Sequence, residues 1–246
     1  MRLGSRLDQI HYRARCNRWL GYFAIFCRLA LAAGFIPSGM QKVVGERFTI
    51  LAVNHPMGHF LDAFYYTGYY YTFVGLLQVL AAILLLIPRT VTIGAFIYLP
   101  IILNICILSL SVRFDGSQIT SPLMTCAVLF LLSWDYHKFQ NIFPFNHNTS
   151  KSELPKKDEL TKKFPLKFFA GVFATILLVV FHTRIFYDIL PRNTYGDCTT
   201  QCTDANDNAC IEFCECIHKE GNSLEGCLSE YEKEIDKDIL QGRHGK

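Results

Sequence analysis

Six cysteines fall within thirty residues near the C-terminus: Cys198, Cys202, Cys210, Cys214, Cys216 and Cys227. A dense, even set in a short polar segment calls for oxidative pairing, and disulfides persist where the compartment is oxidising. Cys198 and Cys202 are four apart, as are Cys210 and Cys214, so each pair shares one face of a helix. Two such turns side by side would join Cys198 to Cys214 and Cys202 to Cys210, leaving Cys216 for Cys227. This is one of fifteen possible connectivities. The competing chemistry is soft-metal chelation through Cys214-Glu-Cys216, although zinc sites favour paired Cys-x2-4-Cys knuckles. The tail has no Cys-x-x-Cys for thiol exchange, and Cys16, Cys27, Cys106 and Cys126 are isolated singles, as small core residues are.

A second set of polar residues lies inside apolar runs: Arg28, Gln78 and Asn104. An Arg at bilayer depth costs ~2.5–3.5 kcal/mol on insertion scales, so it faces the bundle interior and seeks a partner. Asp62, Asp115 and Asp135 all fall at helix ends, so amide and carbonyl oxygens remain. Two readings stay open. The three residues form a structural clasp between helices, or Arg28 and an amide bind the carbonyls of a quinone or a lipid headgroup. A third set, His55 and His59 with His182 at a distance, has the i, i+4 spacing of a metal or haem site. Pro56-Met57-Gly58 between them speaks against a regular helix, no third ligand is evident, and structural histidines are the expectation.

These residues must be positioned by membrane helices. Half of the chain (51%) is hydrophobic, and five apolar runs, about 19–38, 66–87, 91–111, 120–136 and 165–185, each approach the ~20 residues that cross a ~30 Å hydrocarbon core. The fourth is the shortest. Residues 1–191 hold 18 Lys and Arg against 9 acids, whereas residues 192–246 hold 6 against 12. The basic groups flank apolar runs, which is not the pattern of a nucleic-acid binder. Arg2, Arg6, Arg13, Arg15 and Arg18 precede the first span, and Lys138, Lys151, Lys156, Lys157, Lys162 and Lys163 follow the fourth. The positive-inside rule therefore places both segments in the cytoplasm, and five crossings deliver the cysteine tail outside. The first run is too long, and interrupted by Arg28, for a cleaved signal peptide; it is expected to stay as a helix. Pro37-Ser38-Gly39 is expected to end that helix, and Pro88-Arg89-Thr90 to form a tight hairpin. Residues 146–164 read as a polar cytoplasmic linker, whose sequon Asn148-Thr149-Ser150 would face the wrong side for glycosylation.

Residues Arg28 to Phe145 resemble the DoxX family of small four-helix membrane proteins. The resemblance is carried by Arg28-Leu-Ala-Leu-Ala-Ala-Gly-Phe-Ile-Pro-Ser-Gly-Met-Gln-Lys42, by Asn54-His-Pro-Met-Gly-His59, by the apolar run Gly75 to Arg89, by Pro100-Ile-Ile-Leu-Asn104 and by Trp134-Asp-Tyr136. It implies a four-helix bundle and an association with quinol-oxidase or oxidoreductase assemblies. The fifth helix and the cysteine tail depart from that pattern.

The expected fold is thus an all-α integral membrane protein: a basic N-terminus (1–18), a four-helix domain (19–145), a linker (146–164), a fifth membrane helix (165–185) and a small disulfide-stapled helical unit (192–246). No nucleophile, acid–base pair or metal site assembles in the chain. The expected role is a non-catalytic anchor or accessory subunit of the cell (inner) membrane, contacting lipids and presenting its tail to a partner protein. The alternative is a redox accessory subunit with a quinone or other lipophilic ligand near Arg28; a haem is the less expected cofactor.

Overall fold

The computed structural model describes residues 2–48, 51, 55–138, 160–185, 189–202 and 207–244. The sequon and most of the linker lie outside these residues. Within them the chain is an all-α membrane protein with ten α-helices and no strand: α1 (Arg2–Arg15), α2 (Arg18–Val44), α3 (Pro56–Tyr65), α4 (Tyr69–Leu86), α5 (Val91–Ser111), α6 (Thr120–Trp134), α7 (Leu166–Ile185), α8 (Tyr195–Thr199), α9 (Asp207–His218) and α10 (Leu224–His244). Four helices, α2, α4, α5 and α7, are long and apolar enough to cross a bilayer. The fourth apolar run forms α6, whose 15 residues rise only ~22 Å, short of a full crossing by itself.

Two boundaries differ from the sequence reading. Pro37 does not end the first span; it sits inside α2, which runs on to Val44. Proline forfeits one backbone bond, a loss that membrane helices tolerate because neighbouring groups re-satisfy the freed carbonyl. Pro56 does not prevent a helix either. It occupies the first position of α3, where a missing N–H costs nothing, and His55 caps the helix by accepting the Met57 N–H at 3.1 Å.

The chain forms two compact units, one from Met1–Met40, Leu76–Ile102 and Leu123–Leu178, the other from Gln41–Gly75, Leu103–Pro122 and Val179–Lys246. The divisions fall within α2, α4, α5, α6 and α7, so each of these helices contributes to both.

In the first unit α4 and α5 form the expected hairpin over residues 87–90, with the Thr90 hydroxyl donating to the Leu84 carbonyl at 2.9 Å. Their backbones meet at Gly94, where a Cβ would stand 2.8 Å from Leu85 N and 2.9 Å from Ala81 O. Small residues at a membrane helix contact permit this approach, and Ala81, Ala82 and Ala95 are fully buried beside it. Tyr98 stacks on Phe35 with centroids 3.5 Å apart and donates its hydroxyl to Leu31 O, tying α5 to α2. Phe23 of α2, Phe130 of α6 and Phe168 of α7 form a cluster with centroids 5.0–5.6 Å apart, in which Phe23 meets both other rings edge to face. The end of the linker is stitched to the α1–α2 elbow: Thr161 N–H donates to Cys16 O, Asn17 Nδ2 to Lys163 O and Trp19 Nε1 to Lys162 O.

In the second unit, Leu51, Met57 and Phe114 make a small apolar core under α3. A separate core built on Phe213 and Ile217 holds α9 and α10 together with Ile189 and the six tail cysteines.

Candidate functional site

Arg28 lies on α2 and reaches neither Gln78 nor a carboxylate. Its Nε donates to Leu85 O and its Nη2 to Leu86 O, both at 2.7 Å. These are terminal carbonyls of α4, which have no intrahelical partner and sit at the negative end of the helix dipole. These bonds place Arg28, ten positions into the ~40 Å α2, level with the end of the ~27 Å α4 rather than with its middle. Arg28 is therefore a cap. Gln78 is 1% exposed on α4, and its Oε1 has no hydrogen-bond partner. Asn104 is exposed on α5. A clasp of these three is not what holds Arg28.

The ion network of the first unit centres on Asp135, just past α6. This carboxylate, 6% exposed, accepts from Arg15 Nη2 at 3.1 Å, Thr92 Oγ1 at 2.6 Å and Lys138 Nζ at 2.7 Å. One residue thereby joins α1, the start of α5 and the 3-10 turn Tyr136–Lys138. Burial opposes its ionisation, but the bonds from Lys138 and Thr92 and the charge of Arg15 outweigh that, and its pKa is lowered. Arg15 also stacks on the Trp134 ring at 4.7 Å, and His11 Nε2 meets Trp134 O at 3.0 Å. Burial and then the Arg15 charge push the neighbouring His137 down to about 4. Sequence reasoning placed Asp135 at a helix end without seeing this role. The clue was its position between an aromatic pair, Trp134 and Tyr136, beside the basic loop.

In the second unit the structure brings His55 not to His59, which is exposed, but to His218 of α9, with centroids 6.2 Å apart. His182 is exposed on α7. His55 is 0% exposed, and burial, then the nearby His218, hold its pKa down at about 4. Because Nδ1 accepts the Met57 N–H, the neutral ring carries its proton on Nε2. A metal at Nε2 would need the opposite tautomer and would cost α3 its cap, so His55 is poorly suited to ligate a metal or haem. His218 Nε2 donates to Pro191 O at 2.7 Å. Arg192, in left-handed backbone at φ 38°, pairs with Asp115 in the α5–α6 loop. Gln201 reads Leu190 from both sides, accepting its N–H and donating to its carbonyl. The tail thus meets α3 through the His55–His218 ring contact and is bonded to the α5–α6 loop by the Arg192–Asp115 pair, while Gln201 and His218 secure the segment that leads into it.

Its bridges are Cys198–Cys214, Cys202–Cys210 and Cys216–Cys227, the set that the i, i+4 spacing suggests. Sγ atoms of Cys202, Cys210 and Cys214 lie within 4.8 Å of one another, but as disulfides they offer no thiolate to a metal. On the surface of α9 and α10, Glu212, Glu225, Glu230, Glu232 and Asp236 are exposed, as is Glu220 in the connection between the two helices.

Compared with known proteins, the chain is 40% identical over 123 residues to the uncharacterized protein YwoB of Bacillus subtilis (strain 168), a match covering 47% of this chain and 79% of that protein. The chain belongs to the YwoB family. No family model matches it, and no solved structure does. YwoB carries no assigned activity, so membership brings no chemistry to these sites. The match to YwoB takes in about half of this chain, leaving as much again outside it.

Proposed function

We propose that this protein is a non-catalytic accessory subunit of the cell (inner) membrane that presents a rigid acidic unit to a basic partner protein outside the cytoplasm. The observation that carries this is the tail. Three disulfides and the bonds of Gln201, His218 and Arg192 fix α8–α10 in place, while six carboxylates of α9, α10 and the connection between them remain exposed. Such a fixed array loses little conformational entropy on binding and steers a cationic partner. The orientation follows from the basic residues of α1 and of the loop after α6, and from the compartment that disulfides require. Cross-linking in native membranes followed by mass spectrometry tests the reading. A stoichiometric partner should be captured by the wild type and lost when Glu212, Glu230 and Glu232 become Lys. Capture that survives charge reversal, or no partner at all, would refute it.

The redox reading of the DoxX resemblance keeps one specific support. Gln78 Oε1 is buried among apolar helices without a donor, and a quinol hydroxyl would supply one. A quinone mass that co-purifies with the wild type and is lost in Gln78→Leu would favour this reading over the first.

A further inference from the structure

The first unit contains a groove between α1 and α6, about 280 Å³ in volume. Ile10 and Ala14 of α1 form one wall, Phe130 and Trp134 of α6 the other, and His11 and Tyr136 stand at its polar edge. This lies where the apolar run of α6 gives way to Trp134 and Tyr136, the residue types that mark the boundary between hydrocarbon and headgroups. Its rim is cationic. Arg13 is exposed one helical turn from Ile10, Arg15 lies on the Trp134 ring, and Lys138 is 37% exposed. Asp135 neutralises only part of this, since one carboxylate serves both Arg15 and Lys138.

We propose that this groove binds one anionic phospholipid of the surrounding bilayer, with the upper part of an acyl chain between α1 and α6 and the phosphate beside Arg13 and Lys138. Three features select this occupant. The walls are apolar, so they favour a hydrocarbon segment over a polar peptide. The volume falls just below the ~300–1,000 Å³ of sites that enclose a whole ligand, which suits a chain segment whose remainder stays in the bilayer. The excess positive charge at the headgroup level complements a phosphodiester, as Lys and Arg near an anionic membrane surface do. The site would tie the polar helix α1 to the membrane through a shared lipid, in addition to the Asp135 network. This inference requires only that the protein is embedded in a bilayer and is independent of the role of the tail.

The test is native mass spectrometry of the full-length protein in detergent, titrated with phosphatidylglycerol and with phosphatidylcholine of the same acyl chains. The wild type should retain one phosphatidylglycerol several-fold better than phosphatidylcholine. Ala14→Phe, which fills the groove, should abolish retention of both, and Arg13→Gln should bring the two lipids to near parity. If Ala14→Phe fails to fold, Ser133→Phe fills the same groove from an exposed position on α6 and should give the same loss. Equal retention of the two lipids by the wild type, or retention unchanged by the groove-filling variant that folds, would overturn the proposal.

Discussion

The imidazole of His55 lies 6.2 Å from that of His218, and its Nε2 is enclosed without a hydrogen-bond partner. The pair joins the start of α3 to the end of α9. Asp197 of α8 acts electrostatically on His218, whereas burial and His218 itself are what act on His55. A proton on His55 would be a buried charge beside a second histidine, which explains why its pKa falls from 6.5 to about 4.

Acid should therefore loosen the second unit. The unfolded chain binds a proton at His55 near pH 6.5 and the folded chain only near 4, so stability is full above the first value and declines as pH falls towards the second. The full decline is roughly 3 kcal/mol. His55→Asn retains a capping oxygen for Met57 and removes the titration. Thermal melts between pH 7 and 4.5 should show a flatter pH dependence in this variant than in the wild type. Parallel curves would show that His55 does not carry the acid sensitivity.

Asp135→Asn should destabilise the first unit by about 3 kcal/mol, the low end for removing one partner from a buried ion network. Arg15 and Lys138 would lose their common anion, and α1 would lose its link to α5. Trypsin should then cleave faster after Arg13 or Arg15 than in the wild type. Because the Asp135 pKa is already lowered, the wild-type network should persist where an ordinary aspartate has begun to take up its proton, and fail only at lower pH. Unchanged cleavage in the variant would mean that α1 is held by other contacts.

Gly94→Ala should lower the melting temperature, because a Cβ there meets the backbone of Ala81 and Leu85, which cannot swing aside as a side chain would. Overpacking of this kind costs about 1–3 kcal/mol. Gly171→Ala on α7 is the matched control, since nothing lies within 4 Å of its Cβ position. It should be neutral or stabilising by up to about 1 kcal/mol, the gain in helix propensity. Equal effects at the two positions would show that α4 and α5 do not pack at Gly94.

The helical membrane class was legible because apolar runs are a local signal. The suggested disulfide set was legible for a similar reason, since helical spacing alone brings Cys198 and Cys202 to one face. Arg28 was not. Its position within an apolar run implied mid-membrane depth, whereas its bonds set it against the last carbonyls of α4, a relation between two elements that neither sequence contains. The pairing of His55 with His218 is non-local in the same way. Proline misled twice: Pro37 and Pro56 read as breakers, yet the first is absorbed by a long membrane helix and the second starts one.

The three disulfides should differ in how readily they are reduced. Their loops span 16, 8 and 11 residues. Doubling a loop changes its closure entropy by only ~0.6 kcal/mol, so loop length ranks them weakly. Exposure separates them better. Cys198 and Cys214 are both 0% exposed, Cys216 and Cys227 are 5% and 1%, and Cys202 is half-buried at the edge of the core it shares with Cys210. A thiolate must reach a sulfur in line to displace its partner, and Cys202 offers the most access. Graded reduction with stepwise alkylation and mass spectrometry should label Cys202 and Cys210 first and Cys198 and Cys214 last. Loss of all three bridges removes about 2–5 kcal/mol each from a unit whose apolar core rests on Phe213, Ile217 and Ile189. Residues 189–244 should then become protease-sensitive while the α4–α5 hairpin persists. Simultaneous labelling of all six cysteines would instead mean that the tail opens as a whole before any bridge is attacked.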